Sequence, residues 1–449
     1  MNILNHLTKS NKIALIQGKK KISFTDLLEQ GLRFGTYLTH QGIKKDDAVL
    51  IFIPLSITLY KTMIGAWAIG AVPIFVDFSR GVHFVNDTVL RLKPKAVICD
   101  HITALARLKY PSLKKIKMLK IHARGVQAPI LNLDDAHPAL LTFTSGTTGT
   151  PKTVVRSHGF LMAQYEVLKE HLDFSSHHTD LGTLAVFTLA NLASLMTTVL
   201  PTKRYQAKVI PKKLARSIEK ESVSRLIGSP KLISDLLQYS KLKTVEVVYL
   251  GGAPVYPSVI KKIPEHIDLH LVYGSTEAEP IAHLKWSQID EVALEKIRSG
   301  YGLPVGRVVP EVECMIGEDH EILVRGVTVL AKDGPGTWHK TGDTGFFDET
   351  GSLWLTGKVS QTINDKYGIL HPFAIECVLD SHFGIRGAVL KEQQHRIVVI
   401  GECGLEEAQI LAVLEGFHVD RVMKIEALPM DKRHGAKIDY ERVKEMISK

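Results

Sequence analysis

The sequence predicts an α/β protein with a large N-terminal domain of layered sheets, a small β-rich subdomain and a small α+β unit at the C-terminal end. The chain has 449 residues, which is longer than a single hydrophobic core normally serves. Short apolar runs alternate with segments of helical period, as expected of α/β layers. Near residue 305 this alternation gives way to short runs of strand character joined by polar turns.

Five apolar runs in the first part of the chain are typical of buried strands: 48–53, 72–76, 96–98, 247–250 and 269–272. The last two are followed by glycine-containing turns at Gly251 and Gly274. Functional sites of α/β sheets lie beyond the carboxyl ends of the strands. Both turns are therefore expected to border a site.

Two apolar stretches resemble membrane spans but are better explained as buried elements. Residues 48–77 contain Pro54 and Lys61, which favours a strand, a helix and a second strand. Residues 181–201 carry no charge and are long enough to cross a bilayer. Asn191 and five threonines in or next to that stretch are poor lipid-facing residues. A buried strand and helix beside a pocket are expected there, with no membrane span.

The β-rich subdomain is expected to cover residues 305–356. Its predicted strands are 308–312, 321–324, 328–331 and 353–355. Residues 348–351, Asp-Glu-Thr-Gly, are typical of a hairpin turn. Beyond Gly357 the sequence predicts a compact α+β unit with strands at 387–391 and 397–400 and a helix at 405–415.

Composition indicates a soluble globular protein, with 45% apolar and 23% charged residues. The four cysteines are scattered, with no Cys-x-x-Cys pair, so neither a disulfide framework nor a zinc site is expected. They favour a reducing compartment, and the first residues lack the apolar core of a signal peptide. A cytoplasmic location is therefore expected. Basic residues are not interleaved with aromatic ones, which argues against a nucleic-acid partner.

The most informative stretch is residues 142–152, Thr-Phe-Thr-Ser-Gly-Thr-Thr-Gly-Thr-Pro-Lys, directly after an apolar run. Glycines let the backbone turn its N–H groups toward an anion, hydroxyls add donors, and the lysine adds positive charge. This chemistry suits a polyphosphate. The loop is not a Walker A loop, because the pattern Gly-x-x-x-x-Gly-Lys-[Ser/Thr] is not present here.

This loop resembles the phosphate loop of the adenylate-forming superfamily, which includes acyl-CoA synthetases, luciferases and the adenylation domains of peptide synthetases. Five further motifs follow in that family's order: 251–254, 273–277, 341–343, 357–358 and 429–437. The resemblance spans nearly the whole chain. It implies an AMP-binding domain at 1–356, a hinge, and a small C-terminal lid domain at 357–449.

The resemblance implies that most of the nucleotide site consists of backbone-exposing and hydroxyl residues. The residues assigned to ATP are Thr144, Ser145, Gly146, Thr147, Thr148, Gly149, Lys152, Gly251, Gly252, Ala253, Pro254, Tyr273, Gly274, Ser275, Asp343 and Lys358. The first loop would bind the β- and γ-phosphates. Tyr273 and the glycine-rich stretch would flank adenine, and Asp343 would accept the ribose hydroxyls. A core-packing role for Tyr273 and a solvated position for Lys152 remain the alternatives.

Three residues are implied in catalysis. Thr276 would hydrogen-bond the α-phosphate, and Glu277 would hold Mg²⁺, which prefers one carboxylate plus phosphate oxygens. Lys437 would bridge the incoming carboxylate and the α-phosphate, although a lysine so near a chain end is ordinarily solvated.

Two positions depart from the family pattern. Lys358 stands where members usually carry arginine, which loses the bidentate fork. Gln361 stands at the hinge, where an acidic residue or lysine is usual. The following loop, 364–368, would reach the active site when the lid rotates.

The reaction implied is attack of a carboxylate on the α-phosphorus of ATP, giving acyl-AMP and pyrophosphate, followed by transfer to the thiol of CoA or phosphopantetheine. The acyl pocket would draw on residues 185–196, with Phe187 inside it. Asn191 and His283 are candidate polar contacts, although a structural role is the favoured alternative for each. It is apolar and favours an aliphatic or fatty acid. The net charge of +9 would suit an acidic acyl carrier protein or a peripheral contact with an anionic membrane.

Two other functions stay open. The C-terminal motif resembles a branch with fatty-acyl ligase-like proteins and β-lactone synthetases, so the enzyme would form a lactone or stop at acyl-AMP. Alternatively, Lys358 and Gln361 would mark a nucleotide-binding protein that no longer catalyses.

Overall fold

The computed structural model describes residues 2–76, 81–100, 108–121, 124–144, 152–202, 210–332, 334, 336–431 and 437–447. Residue contacts divide the chain into a first unit, Met1–Ile227, and a second unit, Gly228–Lys449. Each unit mixes helices with sheets, which confirms the predicted α/β class. The predicted boundary at Gly357 stays a prediction.

The first unit contains eleven strands among its described residues, ending with one that crosses the unit boundary. Its helices are α1 (Phe24–His40), α2 (Ile57–Ala68), α3 (Val82–Leu92), α4 (His158–His171), α5 (Ala185–Ala193) and α6 (Ile210–Lys220). Its strands are β1 (Ile13–Gln17), β2 (Lys20–Ser23), β3 (Ala48–Phe52), β4 (Val72–Ile74), β5 (Ala96–Cys99), β6 (Lys117–Lys120), β7 (Pro138–Thr144), β8 (Lys152–Ser157), β9 (Thr179–Leu181), β10 (Thr197–Val199) and β11 (Arg225–Gly228).

Two sheets organise the first unit. One is six-stranded with the order β6-β5-β3-β4-β7-β8, and β3, β4 and β5 pair in parallel. The other has the order β2-β1-β10-β9-β11. Both stretches that resembled membrane spans are short strands and helices, as predicted. Among the described residues no helix combines the length and apolarity needed to cross a membrane.

Helices α1 and α2 pack at backbone distance because glycines line their contact. A Cβ on Gly65 would lie 2.8 Å from the carbonyl oxygen of Gly31, and one on Gly31 would lie 2.5 Å from a methyl of Ile64. Ser23 and Ser56 cap these helices by accepting hydrogen bonds from the backbone N–H of Asp26 and Leu59.

A buried polar network holds β9, β10, β11 and α5 together. Arg225 and Asp180 occupy paired positions on neighbouring strands, 3.4 Å apart between Nη1 and Oδ2. Asn191 donates to Asp180 at 2.6 Å and to Thr198 at 3.1 Å. Burial raises the pKa of Asp180, and Arg225 opposes that shift. Asn191, predicted to face the acyl pocket, is fully buried with its amide satisfied here, so the structure gives it a structural role.

The second unit carries a long antiparallel sheet and a smaller C-terminal sheet. Its helices are α7 (Pro230–Leu237), α8 (Pro257–Ile260), α9 (Glu291–Arg298), α10 (Pro372–Phe383), α11 (Glu407–Val413) and α12 (Tyr440–Ile447). Its strands are β12 (Val247–Gly251), β13 (Asp268–Ser275), β14 (Ala278–Lys285), β15 (Leu303–Val308), β16 (Val312–Ile316), β17 (Glu321–Gly326), β18 (His339–Phe347), β19 (Leu353–Lys358), β20 (Ile363–Asp365), β21 (Gly368–Leu370), β22 (Gly387–Glu392), β23 (His395–Gly401) and β24 (Arg421–Ile425).

The order of the long sheet is β16-β17-β18-β19-β15-β14-β13-β12, while β22-β23-β24 form a separate sheet and β20-β21 a hairpin. Strands β12 and β13 pair in parallel, and the remaining pairs of the long sheet are antiparallel.

Two strand predictions for the β-rich subdomain were wrong. The run 308–312 spans a turn between β15 and β16, where Val312 N–H donates to the carbonyl of Val309. Pro310 has no N–H to give to a ladder. The run 328–331 forms only a single bridge, between Val329 and Ala278. The predicted turn at 348–351 and the strands and helix beyond Gly357 are confirmed.

Replacing Arg225 with methionine is expected to destabilise the protein by about 3–5 kcal/mol, because it leaves the buried carboxylate of Asp180 without its cation. The shift in urea midpoint of the first cooperative transition measures this. The double variant Arg225→Met with Asp180→Asn should recover much of the loss. A double variant no more stable than the single one would contradict a charge-based explanation.

Candidate active site

The candidate site is a cavity of about 160 Å³ in the second unit. Segments that are far apart in the sequence line it. Its lining includes Gly252, Ala253, Pro254, Tyr256, Tyr273, Gly274, Asp343, Gly357, Lys358, Gln361, Phe373, Glu376, Lys437, Ile438 and Tyr440. Most of the motifs predicted to bind adenosine, together with the predicted catalytic lysine, therefore meet at one place.

The glycine-rich stretch after β12 forms one wall because two backbones approach closely there. A Cβ on Gly251 would lie 2.6 Å from the carbonyl oxygen of Val272 on β13. Gly252 has φ +73°, a left-handed conformation that favours glycine. Ala253 and Pro254 continue the wall with small side chains, which leaves room for a flat ring.

Asp343 is the polar centre of the cavity. Residues Asp343 and Lys358 face each other in the antiparallel register of β18 and β19, and their side chains form an ion pair. The phenol of Tyr273 donates to the other oxygen of Asp343 at 3.1 Å. Tyr273 is buried, so its ring both packs in the core and lines the cavity. A carboxylate has further acceptor positions, and two hydroxyls can still be accommodated.

Lys437 is held at the cavity through its backbone. Its N–H donates to the carboxylate of Asp431 at 2.9 Å, and its carbonyl accepts from the N–H of Asp431 at 2.8 Å. Met430 and Ile438 form a bridge next to this pair. The lysine is half-buried rather than fully solvated, although it lies close to the end of the chain.

Thr276 and Glu277 lie in the turn between β13 and β14, outside the lining of the cavity. Thr276 is exposed and Glu277 is half-buried. The Glu277 N–H donates to the hydroxyl of Ser275 at 3.3 Å, and its carbonyl accepts from Leu330. Burial lowers the pKa of His339, while the neighbouring Glu277 opposes that shift. The turn thus offers one carboxylate and hydroxyl oxygens.

The structure describes only the two ends of the loop that is predicted to bind phosphates. Thr144 and Lys152 are paired at the ends of β7 and β8. The predicted phosphate ligands between them lie outside the described residues: Ser145, Gly146, Thr147, Thr148 and Gly149.

The segment predicted for the acyl pocket lines an apolar cavity in the first unit. Helix α5 contributes Val186, Leu189 and Ala190 to that lining, which also includes side chains of α2 and α4. Phe187 is buried but does not belong to this lining. His283, in the second unit, stacks on His270 with ring nitrogens 2.7 Å apart, so its role is structural.

The loop after Gln361 is fixed to the C-terminal sheet. Gln361 lines the cavity, and β20-β21 follow it. Arg396 of β23 is 2% exposed and donates to both oxygens of Asp365, at 2.8 and 2.6 Å. Bidentate pairs of this kind are strong and directional. The loop at 364–368 is therefore held against the sheet formed by β22, β23 and β24.

The sequence did not single out Glu376, Tyr256 and Tyr440, which also line the cavity. A signal was present: Glu376 interrupts the otherwise apolar run of α10. An acidic residue inside a buried run requires a partner. Its partners come from distant segments, and spacing alone could not reveal them.

The comparisons with known proteins agree with the fold. A model of the AMP-binding enzyme family matches residues 5–331. The chain therefore belongs to the AMP-binding enzyme family and is an adenylate-forming ligase by class. Olefin β-lactone synthetase of Xanthomonas campestris pv. campestris is 26% identical over 94% of this chain and 90% of its own length.

A second relative and a solved structure extend the likeness. Acetyl-coenzyme A synthetase of Bacillus subtilis is 26% identical over 85% of this chain and 75% of its own length. The structure of O-succinylbenzoate coenzyme A synthetase of Bacillus subtilis, in complex with ATP and magnesium ion, superposes with a TM-score of 0.79 at 18% identity and covers 98% of each chain. This likeness confirms the fold.

The variant Asp343→Asn is expected to weaken AMP binding about 10- to 100-fold, because hydrogen bonds to a charged group are worth roughly 1.5–3 kcal/mol. Isothermal titration calorimetry with AMP measures the change. Glu349→Gln, an exposed carboxylate of the hairpin turn, is the matched control and should bind normally. Unchanged affinity in Asp343→Asn would remove Asp343 from the nucleotide site.

Proposed function

We propose that this enzyme uses ATP to activate a carboxylic acid, forming acyl-AMP and pyrophosphate, and then transfers the acyl group to the thiol of CoA or of a carrier-protein phosphopantetheine. One observation carries the proposal. Lys437 lines the same cavity as Gly252, Tyr273 and Asp343. A cation from the far end of the chain thus stands beside groups suited to adenosine, which favours catalysis over nucleotide binding alone.

In the first step a carboxylate oxygen of the acid attacks the α-phosphorus of ATP. The bond from that phosphorus to the bridging oxygen breaks, and pyrophosphate leaves with its electron pair. Such transfers depend on positioning and on stabilisation of phosphate charge, with no nucleophile from the protein. Lys437 would supply a positive charge shared by the acid and the α-phosphate.

The nucleotide would be held by residues with separate tasks. Gly252, Ala253 and Pro254 would cover adenine, and Asp343 would accept the ribose hydroxyls. Lys358 forms an ion pair with Asp343, which is a role that an ammonium can fill without a guanidinium fork. The hydroxyls and glycines at 144–149, with Lys152 and Thr276, would bind the phosphates.

Magnesium fits the oxygen donors of the turn at Thr276 and Glu277. Among the described residues, no group of three or more ligating side chains includes Glu277. This matches the preference of Mg²⁺ for one or two carboxylates plus substrate phosphates over an all-protein cage. When bound, the ion would neutralise charge on the phosphates.

An aliphatic acid is the proposed substrate class. Support comes from the apolar cavity beside α5, whose lining is formed by side chains such as Leu189 and Trp67. A net charge of +9 suits an acidic carrier protein as the thiol donor.

The second candidate is a β-lactone-forming enzyme, in which the acyl-AMP of a β-hydroxy acid cyclises without a thiol. It is favoured by the likeness to a protein named olefin β-lactone synthetase over 94% of this chain.

The proposal predicts that the enzyme catalyses ATP–pyrophosphate exchange in the presence of aliphatic acids. The products are then identified by mass analysis, with and without CoA. A CoA thioester establishes the ligase, whereas release of AMP from the acyl-AMP of a β-hydroxy acid, with a product lighter than the acid by one water and no thioester, indicates a lactone. No exchange with any acid, despite ATP binding, would contradict both candidate functions.

The variant Lys437→Ala should lower exchange at least about 100-fold while ATP still binds, because it removes a charge used in the transition state. Lys444→Ala, an exposed lysine of α12, is its control.

The variant Glu277→Gln is expected to raise the Mg²⁺ concentration needed for half-maximal exchange about tenfold or more, since a neutral amide is a weaker ligand for a hard cation. Exchange is measured over a magnesium titration at fixed ATP. Glu318→Gln, an exposed carboxylate, should follow the wild-type curve. Overlapping curves for Glu277→Gln and wild type would refute the metal role.

A further inference from the structure

A buried carboxylate, Glu376 of α10, lies in the wall of the site cavity between two tyrosines. It accepts a hydrogen bond from the phenol of Tyr256 on one oxygen and from the phenol of Tyr440 on the other. Glu376 is 4% exposed, and all three residues line the cavity. Both carboxylate oxygens are therefore committed to donors of the protein.

Burying an ionised carboxyl group in this way costs free energy. Burial raises the pKa of Glu376 to about 7, against the opposing effects of the two phenols and Arg386. The guanidinium of Arg386 lies 3.9 Å from the centroid of the Tyr256 ring. Replacing a buried polar group and its partners with apolar groups of similar shape is often nearly neutral for stability. The presence of a carboxylate at position 376 is therefore better explained by the segments that it holds in place than by a gain in stability.

The two tyrosines belong to two segments that are far apart in the sequence and that both line the site. Tyr256 follows the adenine wall at Gly252–Pro254 by two residues, and Tyr440 follows Lys437 by three. The hydroxyl of Tyr440 also accepts from the N–H of Val389 at 3.4 Å. One carboxylate thus connects the segment of Lys437 to the segment of the adenine wall.

A second carboxylate of α10 provides a comparison within the same helix. Asp380, one turn after Glu376, accepts from the N–H and the hydroxyl of Ser258, each at 2.6 Å. Among the described residues, Asp380 thus holds α10 to Ser258 and forms no hydrogen bond with Tyr440. Variants of Asp380 therefore disturb the docking of α10 alone, whereas variants of Glu376 also disturb its bond to the segment that contains Lys437.

We propose that Glu376 is a positioning residue for acyl-AMP formation, which couples the adenine wall to Lys437 through Tyr256 and Tyr440. This inference rests on the proposed role of Lys437. Glu376 does not touch the reacting atoms. It sets the distance between bound nucleotide and lysine, and small errors in such positions cost large factors in rate.

Variants that remove one phenol hydroxyl test the two hydrogen bonds of Glu376 separately. Tyr440→Phe should lower kcat for acyl-AMP formation about tenfold or more with little change in KM for ATP, because it loosens the lysine segment. Tyr256→Phe should mainly raise KM for ATP. Each change removes one oxygen and leaves the ring, so folding should be retained, as thermal unfolding would check.

Variants of Glu376 test the coupling itself. Glu376→Leu should show both effects, and Glu376→Gln, which can still bond both phenols, should recover part of kcat. The double variant Glu376→Leu with Tyr440→Phe should have the kcat of Glu376→Leu alone, since both act through one network. Asp380→Asn is the matched control: comparable loss of stability is expected, with kcat close to that of wild type.

Two results would overturn the coupling. One is wild-type kcat in both Glu376→Leu and Tyr440→Phe while Lys437→Ala is inactive, which leaves the proposed function intact. The other is an equal loss of kcat in Asp380→Asn and Glu376→Leu, which would assign the effect to docking of α10. Undiminished exchange in Lys437→Ala would instead remove the lysine from the proposed function, and the coupling with it.

Discussion

The antiparallel register of β18 and β19 is the constraint on which the candidate nucleotide site depends. It places Asp343 opposite Lys358, and directly opposed residues of one face are close enough to interact. A shift by one residue would turn the carboxylate to the other face of the sheet. Tyr273 then reaches the same carboxylate from β13. The ion pair and the hydrogen bond from Tyr273 thus both depend on one pairing of strands.

Charged groups inside both units are held in a similar way, by partners from more than one segment. Asp180 binds Arg225 and Asn191 in the first unit. In the second unit Arg396 holds Asp365 with two hydrogen bonds, and Glu376 accepts from two tyrosines. Because an unpaired buried charge is strongly unfavourable, these clusters restrict how their segments can be arranged. Near the cavity they also restrict the positions of functional side chains.

Much of the fold could be predicted from the sequence because strands such as 48–53 and 247–250 are short apolar runs between turn residues. The errors at 308–312 and 328–331 arose where β-branched residues lie in turns, since strand propensity depends on tertiary context. The motifs also predicted that Gly252, Tyr273, Asp343 and Lys437 meet. Hydrogen-bond partners could not be predicted: the role of Asn191 in a buried network and of Glu376 between two tyrosines depends on segments distant in the sequence.

The reciprocal backbone bonds between Asp431 and Lys437 have a consequence for how this chain can change in evolution. The two residues close the base of the segment between them. These bonds fix the position of Lys437 on the side that precedes it in the sequence. One residue inserted between Lys437 and Tyr440 would alter the phase of the helix that begins at Tyr440 and separate the lysine from its tyrosine anchor. Length variation among descendants of this protein should therefore be absent between Lys437 and Tyr440.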